Sequence, residues 1–510
     1  MEMQWIRENM ETEQIIAAKP TQVTVEAEVA LPGGLREEAR VYYTDATVQV
    51  NGGELAGSRV TADGRVTFHV LYAQGDLAHV NALEATADFS QAMPLSEEEA
   101  QPAAVRLKPR AQVQRVNAKA FNGRLLLQAI VNLNAEAALP RSVSFIQDAA
   151  PDMPVERAAQ TISLQRTVGE GENQTLLREE FELSDVLKIK DTLFATAQAQ
   201  VEDIMGGSDG TATVTGTVTV EACHTSDLPG RSLVYTRHTA PYEQQVTLSG
   251  AMGSALTART LVRDAAVLSQ EGENGRIMRA EIQLTTEMTA VEDSTMTVLK
   301  DVFTTEGDAL ETHAQQVVFR DGTVNETAAE SGRTVLSLPE GSPRMKTALL
   351  AFVRPVPVET QRQKDKLAVD GILDITLIYQ TDDSAAPVSI RQEEPFHVLF
   401  DTQALPEDHL SLTASQVDPS AVTGDRAELK YILRLNADGV RKHEAEVLVD
   451  VQSVPAQETF QGITLYYLQP GETLWDAAKR CRLPMEEIKH LNPSLESEPR
   501  TGTPVLAYKR

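Results

Sequence analysis

Cysteine is nearly absent from this chain. Its 510 residues include two, Cys223 and Cys481, 258 positions apart and in different expected domains. That spacing argues against a disulfide framework and fits a reducing compartment. Basic residues are outnumbered, 46 Lys and Arg against 74 Asp and Glu, for a net charge of −28. A general nucleic-acid binder is excluded on that balance, because phosphate contacts need Lys and Arg. No run approaches 18 apolar residues, so no transmembrane helix is expected. The start, Met1-Glu2-Met3-Gln4-Trp5-Ile6-Arg7-Glu8, lacks a basic stretch followed by an apolar one. No signal peptide is expected there, and the expectation is a cytosolic protein. Aromatics are 5% of the chain, yet hydrophobics reach 42%, enough for packed cores. At roughly 150 residues per domain, the length suggests three to four domains.

What the chain does have is an internal repeat. Gly64-Arg65-Val66-Thr67-Phe68-His69-Val70-Leu71-Tyr72 aligns without a gap to Gly371-Ile372-Leu373-Asp374-Ile375-Thr376-Leu377-Ile378-Tyr379. A weaker copy, Gly216 to His224, puts His where the others have Tyr. The copies are spaced 152 and 155 residues apart. Leu31, Leu183 and Leu338 keep the same spacing upstream, and Phe89, Tyr242 and Phe396 nearly keep it downstream. A later block follows in each copy: Gly123 to Leu133, Gly275 to Leu284 and Gly424 to Leu435. Landmarks in one order at one period imply three homologous units.

Alternation of period two in these blocks predicts half-buried strands, with Val66, Phe68 and Val70 on one face and Thr67 and His69 on the other. The expected fold is mainly β: three sandwich-like or barrel-like units over 1–165, 166–318 and 319–455, then a small α+β domain over 463–510. Trp5, Ile6 and Met10 suggest a short amphipathic helix within residues 1–20. The polar stretches near 151–175 and 319–335 suggest linkers, with a further join near 452–462.

The C-terminal stretch is the most informative. An aromatic strand, Leu465-Tyr466-Tyr467, runs into a Pro470-Gly471 turn and a helix start. Thr473 and Asp476 form a capping-box pattern, and Leu474, Ala477 and Ala478 give the helix its inner face. A second helix is expected with Pro484 at its first position, Glu486 and Glu487 in its first turn, and Asn492-Pro493 as its stop. Val505-Leu506-Ala507-Tyr508 closes the module as a strand.

This strand–helix–helix–strand order resembles the LysM family. The motifs that carry the resemblance are Tyr467, Pro470-Gly471-Glu472-Thr473-Leu474 and Leu491-Asn492-Pro493. It covers about a tenth of the chain. It implies a groove between the loop after the first strand and the loop after the second helix, for an N-acetylglucosamine-containing glycan such as peptidoglycan. By position the groove would be Gln469, Pro470, Gly471, Glu472, Thr473, Leu491, Asn492, Pro493 and Ser494. The family's Tyr-Gly-Val between the helices is Cys481-Arg482-Leu483 here, and its Pro-Gly-Gln before the last strand is Thr501-Gly502-Thr503. A non-glycine residue after the first helix is less comfortable in the left-handed conformation.

The upstream units resemble SPOCS domains. Leu31-Pro32 and Leu338-Pro339-Glu340-Gly341-Ser342-Pro343 look like that family's opening, the Gly–strand–Tyr block like its signature, and Glu394-Pro395-Phe396 like its downstream Pro-Phe. The second unit departs from the pattern, with Leu183-Ser184 and His224. SPOCS repeats ending in LysM are the architecture of clostridial spore-coat morphogenetic proteins. The resemblance implies a non-enzymatic scaffold made in the mother cell and placed at the forespore surface. Its implied partners are the coat morphogenetic ATPase, on which LysM docks, and other coat proteins.

No motif for a catalytic centre, metal or cofactor stands out. Adjacent Cys223 and His224 point to opposite faces of a strand and make a poor dyad, so the expectation is a core Cys beside an exposed His. Cys481 and His490 supply two ligands where a closed zinc site needs four. Glu97-Glu98-Glu99 is expected to be a solvated loop, and Gly169-Glu170-Gly171 and the Gly272–Gly275 run lack the context of a phosphate loop. Residues 461–510 hold seven basic and six acidic side chains, so the acidity lies upstream. Arg480, Arg482 and Lys489, with Trp475, mark a candidate docking edge; they equally suit the C-terminal ends of helix dipoles.

Overall fold

The structure is a computed structural model. It describes residues 4–34, 38–95, 106–150, 153–207, 209–253, 255–271, 275–456, 461–495 and 500–509. The acidic triplet at 97–99 and most of the 272–275 run lie outside these. The described chain is mainly strand. No helix among the described residues is long and apolar enough to cross a membrane.

The first part of the chain contributes β1 (Trp5–Ala17), β2 (Thr21–Ala30), β3 (Ala39–Ala56), β4 (Arg59–Gln74), β5 (Asn81–Pro94), β6 (Arg106–Phe121) and β7 (Arg124–Ala149). The second contributes β8 (Val155–Ser184), β9 (Ile189–Gly206), β10 (Thr211–Leu228), β11 (Arg231–Thr247), a two-residue β12 (Ser249–Gly250), β13 (Ala255–Glu271) and β14 (Gly275–Thr304). The third contributes β15 (Ala309–Ser337), β16 (Met345–Gln363), β17 (Lys366–Thr381), β18 (Val388–Asp401), β19 (His409–Thr423) and β20 (Arg426–Val454).

Each part folds alike. One antiparallel sheet is β3-β4-β5, β9-β10-β11 or β16-β17-β18. The facing sheet is built on β7 between β2 and β6, on β14 between β8 and β13, or on β20 between β15 and β19. Alternate residues of both sheets meet in one core per unit; in the first it includes Val66, Phe68 and Val70 from β4 and Leu125, Leu127 and Val131 from β7. The repeat's glycines explain themselves in this frame. Gly64, Gly216 and Gly371 pair across the sheet with Phe89, Tyr242 and Phe396, and each aromatic ring lies over the space a Cβ would need.

The long strands run past their sandwiches and form a shared central assembly. β1 pairs with residues 136–149 of β7, the first half of β8 with the second half of β14, and the first half of β15 with the second half of β20. Met10, Phe145, Ile162, Val298, Phe319 and Val447, drawn from all three pairs, pack into a single cluster. At the opposite pole the three sandwiches meet directly, and Tyr43, Phe194 and Phe352 bring one ring from each unit together, the closest pair stacked at 3.7 Å. Equivalent elements touch in cyclic order: β5 meets β9, β11 meets β16, and β18 meets β3. One chain thus builds a ring of three similar units about a pseudo-threefold axis.

Three expectations are corrected. Residues 5–17 form a strand, not a helix, because β7 would otherwise leave the ladder groups of residues 136–149 unpaired along one edge. The stretches near 151–175 and 319–335 are not linkers; apart from residues 151 and 152, which lie outside the described set, they belong mostly to β8 and β15, which run unbroken from the central assembly into the sandwiches. The expected unit edges at 165/166 and 318/319 fall inside those strands. His224 is not exposed but fully buried, because it continues the face of Val218, Val220 and Ala222 into its own sandwich between Thr192 and Thr236, while Cys223 on the opposite face of β10 meets the neighbouring units.

His224 pairs its Nδ1 with the Thr192 hydroxyl at 3.1 Å and its Nε2 with the Thr236 hydroxyl at 2.7 Å. Burial pushes its pKa down to about 4, and His409, also depressed mainly by burial, falls to about 4. Both stay neutral in the folded chain where the unfolded chain takes up a proton. Their contribution to stability is complete above the ordinary histidine pKa of about 6.5 and is lost as pH falls toward 4, by up to about 3 kcal/mol for His224. Urea titrations between pH 7 and pH 4 should show a falling midpoint, and His224→Gln should flatten that slope. An unchanged slope in the variant would assign the acid sensitivity to other groups.

Candidate functional site

The C-terminal module is β21 (Gly462–Tyr467), α1 (Leu474–Cys481), α2 (Met485–Leu491) and β22 (Pro504–Lys509), with β21 and β22 antiparallel. Its core is Leu468, Leu474, Ala477, Ala478, Cys481, Leu483, Ile488, Val505 and Ala507. The expected capping box is present: the Thr473 backbone N–H donates to Asp476 Oδ2 at 2.7 Å, and the Thr473 side chain accepts from the Asp476 N–H. Pro484 is the N-cap of α2 rather than its first residue.

Gln469 to Glu472 make a type II turn, with Gly471 at φ 84° and the Glu472 N–H bonded to the Gln469 carbonyl. Glu472 closes this loop from inside. It accepts from Tyr466 Oη at 2.6 Å and from the Gln469 N–H at 2.8 Å, and it pairs with Arg480 at 2.9 Å. Those partners hold its carboxyl below the usual range, the Tyr466 hydroxyl first among them. Asn492 is equally committed: its amide donates to the Ile488 and Leu506 carbonyls and its Oδ1 accepts the Leu506 N–H, all at 2.8 Å. Gln469, Pro470, Gly471 and Thr473 are exposed on one loop, Pro493 and Ser494 on the other, with Leu491 half-buried. The outer face of the two-stranded sheet is also open, with Ile463 at 75% and Tyr467 at 55% exposure beside Leu465 and Tyr508.

The structure divides the candidate docking edge. Trp475 and Arg482 face the chain's own body at the β14–β15 turn. Trp475 Nε1 donates to Asp301 Oδ2 at 2.8 Å, and its ring meets Phe303 edge-on at 4.9 Å between centroids. Lys479 Nζ reaches both Asp301 oxygens, at 2.6 and 2.7 Å. Arg482 donates to the Gly307 carbonyl at 2.7 Å and to the carbonyl and hydroxyl of Thr304 at 3.2 Å each. Arg482 is the left-handed cap of α1, at φ 51°. That conformation costs a non-glycine residue about 1–2 kcal/mol, and the bonds to Thr304 and Gly307 offset it. Arg480 instead turns to Glu472 and the Tyr466 ring, and Lys489 is exposed.

No family model, no curated protein and no solved structure matches this chain. The site therefore rests on its own geometry. Sequence reasoning missed Lys479, Asp301 and Phe303. Lys479 follows Trp475 by four residues and so shares its helix face, a signal that was available; the acceptor, 178 residues away, left none. Among the described residues no group of three His, Cys, Asp or Glu side chains is placed to hold a metal ion. Burial pushes both thiols up, Cys223 at the contact between units and Cys481 in the module core.

Proposed function

We propose that this chain is a non-enzymatic scaffold of spore-coat assembly at the forespore surface, similar to SipL. In this reading its LysM-like module docks onto a coat morphogenetic protein. The observation that supports docking on protein is the outer face of β21, where Ile463, Leu465 and Tyr467 stand in solvent next to Tyr508. An apolar face of that kind suits a protein surface better than a hydroxyl-rich glycan. The second reading is peptidoglycan binding. It is favoured by the exposed Pro-Gly turn, whose backbone groups are of the kind that hold glycan in the LysM family.

The test is localisation of a fluorescent fusion during sporulation, paired with sedimentation of the purified chain on peptidoglycan. The full chain should form a shell around the forespore that disappears on removal of residues 463–510. The double substitution Leu465→Glu and Tyr467→Glu should also disperse it, at least tenfold, while the chain stays folded. A shell untouched by the double substitution, together with sedimentation on glycan that is equally untouched, would favour the glycan reading.

A further inference from the structure

The C-terminal module has two sheet edges, and only one of them is closed. On β22 the Leu506 N–H bonds Asn492 Oδ1 and the Leu506 carbonyl accepts the Asn492 amide, each at 2.8 Å. Those backbone groups therefore point away from β21. In an antiparallel pair, two residues opposite each other either exchange their bonds or both point outward. Leu465, the partner of Leu506, thus aims its own N–H and carbonyl out of the free edge of β21. By alternation Ile463 and Tyr467 do the same, while Thr464 and Tyr466 bond across to β22. Gln469 Nε2 reaches the Tyr467 carbonyl at 3.1 Å, as that direction requires. Among the described residues no other bond closes this edge.

β21 is also the outlying strand. Val505 and Ala507 of β22 lie in the module core, whereas β21 gives that core only the partly buried Tyr466. Exposed edges are ordinarily blunted by a charge, a proline or a bulge. The run Gly462-Ile463-Thr464-Leu465-Tyr466-Tyr467-Leu468 holds no charged residue and no proline, and its register with β22 is unbroken. Two strands alone make a marginal sheet, and added strands stabilise it.

We infer that the free edge of β21 pairs antiparallel with β21 of a second copy of this chain, joining two modules into one four-stranded sheet. The register is self-complementary. A twofold axis at Leu465 sets it opposite Leu465 of the second copy and sets Ile463 opposite the second copy's Tyr467. All three outward residues of each strand then pair at once, through about six backbone bonds. The Tyr467 carbonyl has a second lone pair beside the one that Gln469 uses. Charge selects the same place. The whole chain carries −28, whereas residues 461–510 hold seven basic and six acidic side chains. Two chains this acidic repel, and the near-neutral module is where they meet with least repulsion. The closed β22 edge stops the assembly at two. Pairing through the edge leaves the outer face of the sheet open, so it holds whether or not that face docks on a coat protein.

The test is the mass of the purified full chain by sedimentation equilibrium, from about one micromolar to a few hundred micromolar, where a small interface associates. The chain should pass from one copy to two, with no larger species. Leu465→Lys sets like charges opposite each other on the axis and should weaken the dimer at least tenfold. Ile463→Lys combined with Tyr467→Glu sets opposite charges across both outer pairs. That double variant should keep the dimer and make it sensitive to salt. Hydrogen-exchange protection of α1 checks that each variant module is folded. A parent chain that stays single throughout the range would overturn the pairing, whether or not either variant folds, and would leave the edge to a strand of another protein. So would a dimer that Leu465→Lys leaves intact, or one that both variants abolish. No coat protein is present in this measurement, so a single copy leaves the docking reading standing, and a dimer that forms no forespore shell leaves the pairing standing.

Discussion

Asp301→Ala should release the C-terminal module from the body of the chain. The Asp301 carboxylate accepts from the Trp475 indole at Oδ2 and from the Lys479 ammonium at both oxygens, and it also braces its own turn through the Val302 N–H and the Thr312 hydroxyl. Lys479 is about one-third exposed, so the pair is partly screened by solvent. Hydrogen bonds to a charged group contribute about 1.5–3 kcal/mol, discounted for that exposure. Deleting the carboxylate also leaves an indole N–H and an ammonium without acceptors. Trp475 shares the chain with only one other tryptophan, Trp5. Its fluorescence should therefore shift to the red, and α1 should lose hydrogen-exchange protection, while the sandwiches unfold as before. Adding Lys479→Met should restore part of the contact by removing the stranded charge. An unshifted spectrum would show that the Phe303 packing and the Arg482 bonds hold the module alone.

Gly371→Ala should be among the most damaging single-methyl additions in the sandwiches. A Cβ there would lie 2.3 Å from the Val356 carbonyl oxygen and 2.8 Å from the Phe396 ring. Gly216 is as tight, 2.0 Å from the Gln200 oxygen and 2.8 Å from Tyr242. The obstacle is backbone on one side and a packed ring on the other, so neither can swing away. Overpacking of this kind costs about 1–3 kcal/mol and more where backbone must move. Phe396→Ala combined with Gly371→Ala should not rescue stability, since the carbonyl contact remains and a hole is added. Chemical denaturation followed by near-ultraviolet circular dichroism reads both effects. A midpoint equal to that of the parent chain would mean that β16 and β17 can part without cost.

Much of the fold was legible because its signals are local. Val66, Phe68 and Val70 announce a strand by alternation, and the spacing of Gly64, Gly216 and Gly371 announces three copies before any packing is known. The βααβ order of the module was legible from Pro470-Gly471, the Thr473 cap and the Asn492-Pro493 stop. What failed depends on partners far away in sequence. Trp5, Ile6 and Met10 fit a helical face, but β7 claims residues 5–17 as a strand through a register spanning more than a hundred residues. The exposure expected at His224 failed because both faces of β10 are covered: His224 shares the sandwich face of Val218, Val220 and Ala222, and Cys223 on the other face is covered by the adjoining units. Trp475 and Arg482 were visible as a cluster, while the turn they meet lies in another unit.

The placement of the module fixes its valency. The body has three strand-to-strand corners at its central pole, around residue 150, around residue 306 and at the end of β20. Arg482 and Lys479 take the middle one, and the Met485 N–H reaches Glu156 beside the first, at 3.4 Å. A trimer of identical subunits would carry three such modules in equivalent poses. Joining the three units in one chain leaves a single module, aimed in one direction, for every three sandwiches. The open sheet face of the module is thus presented in one direction relative to the ring, where a symmetric trimer would present it in three.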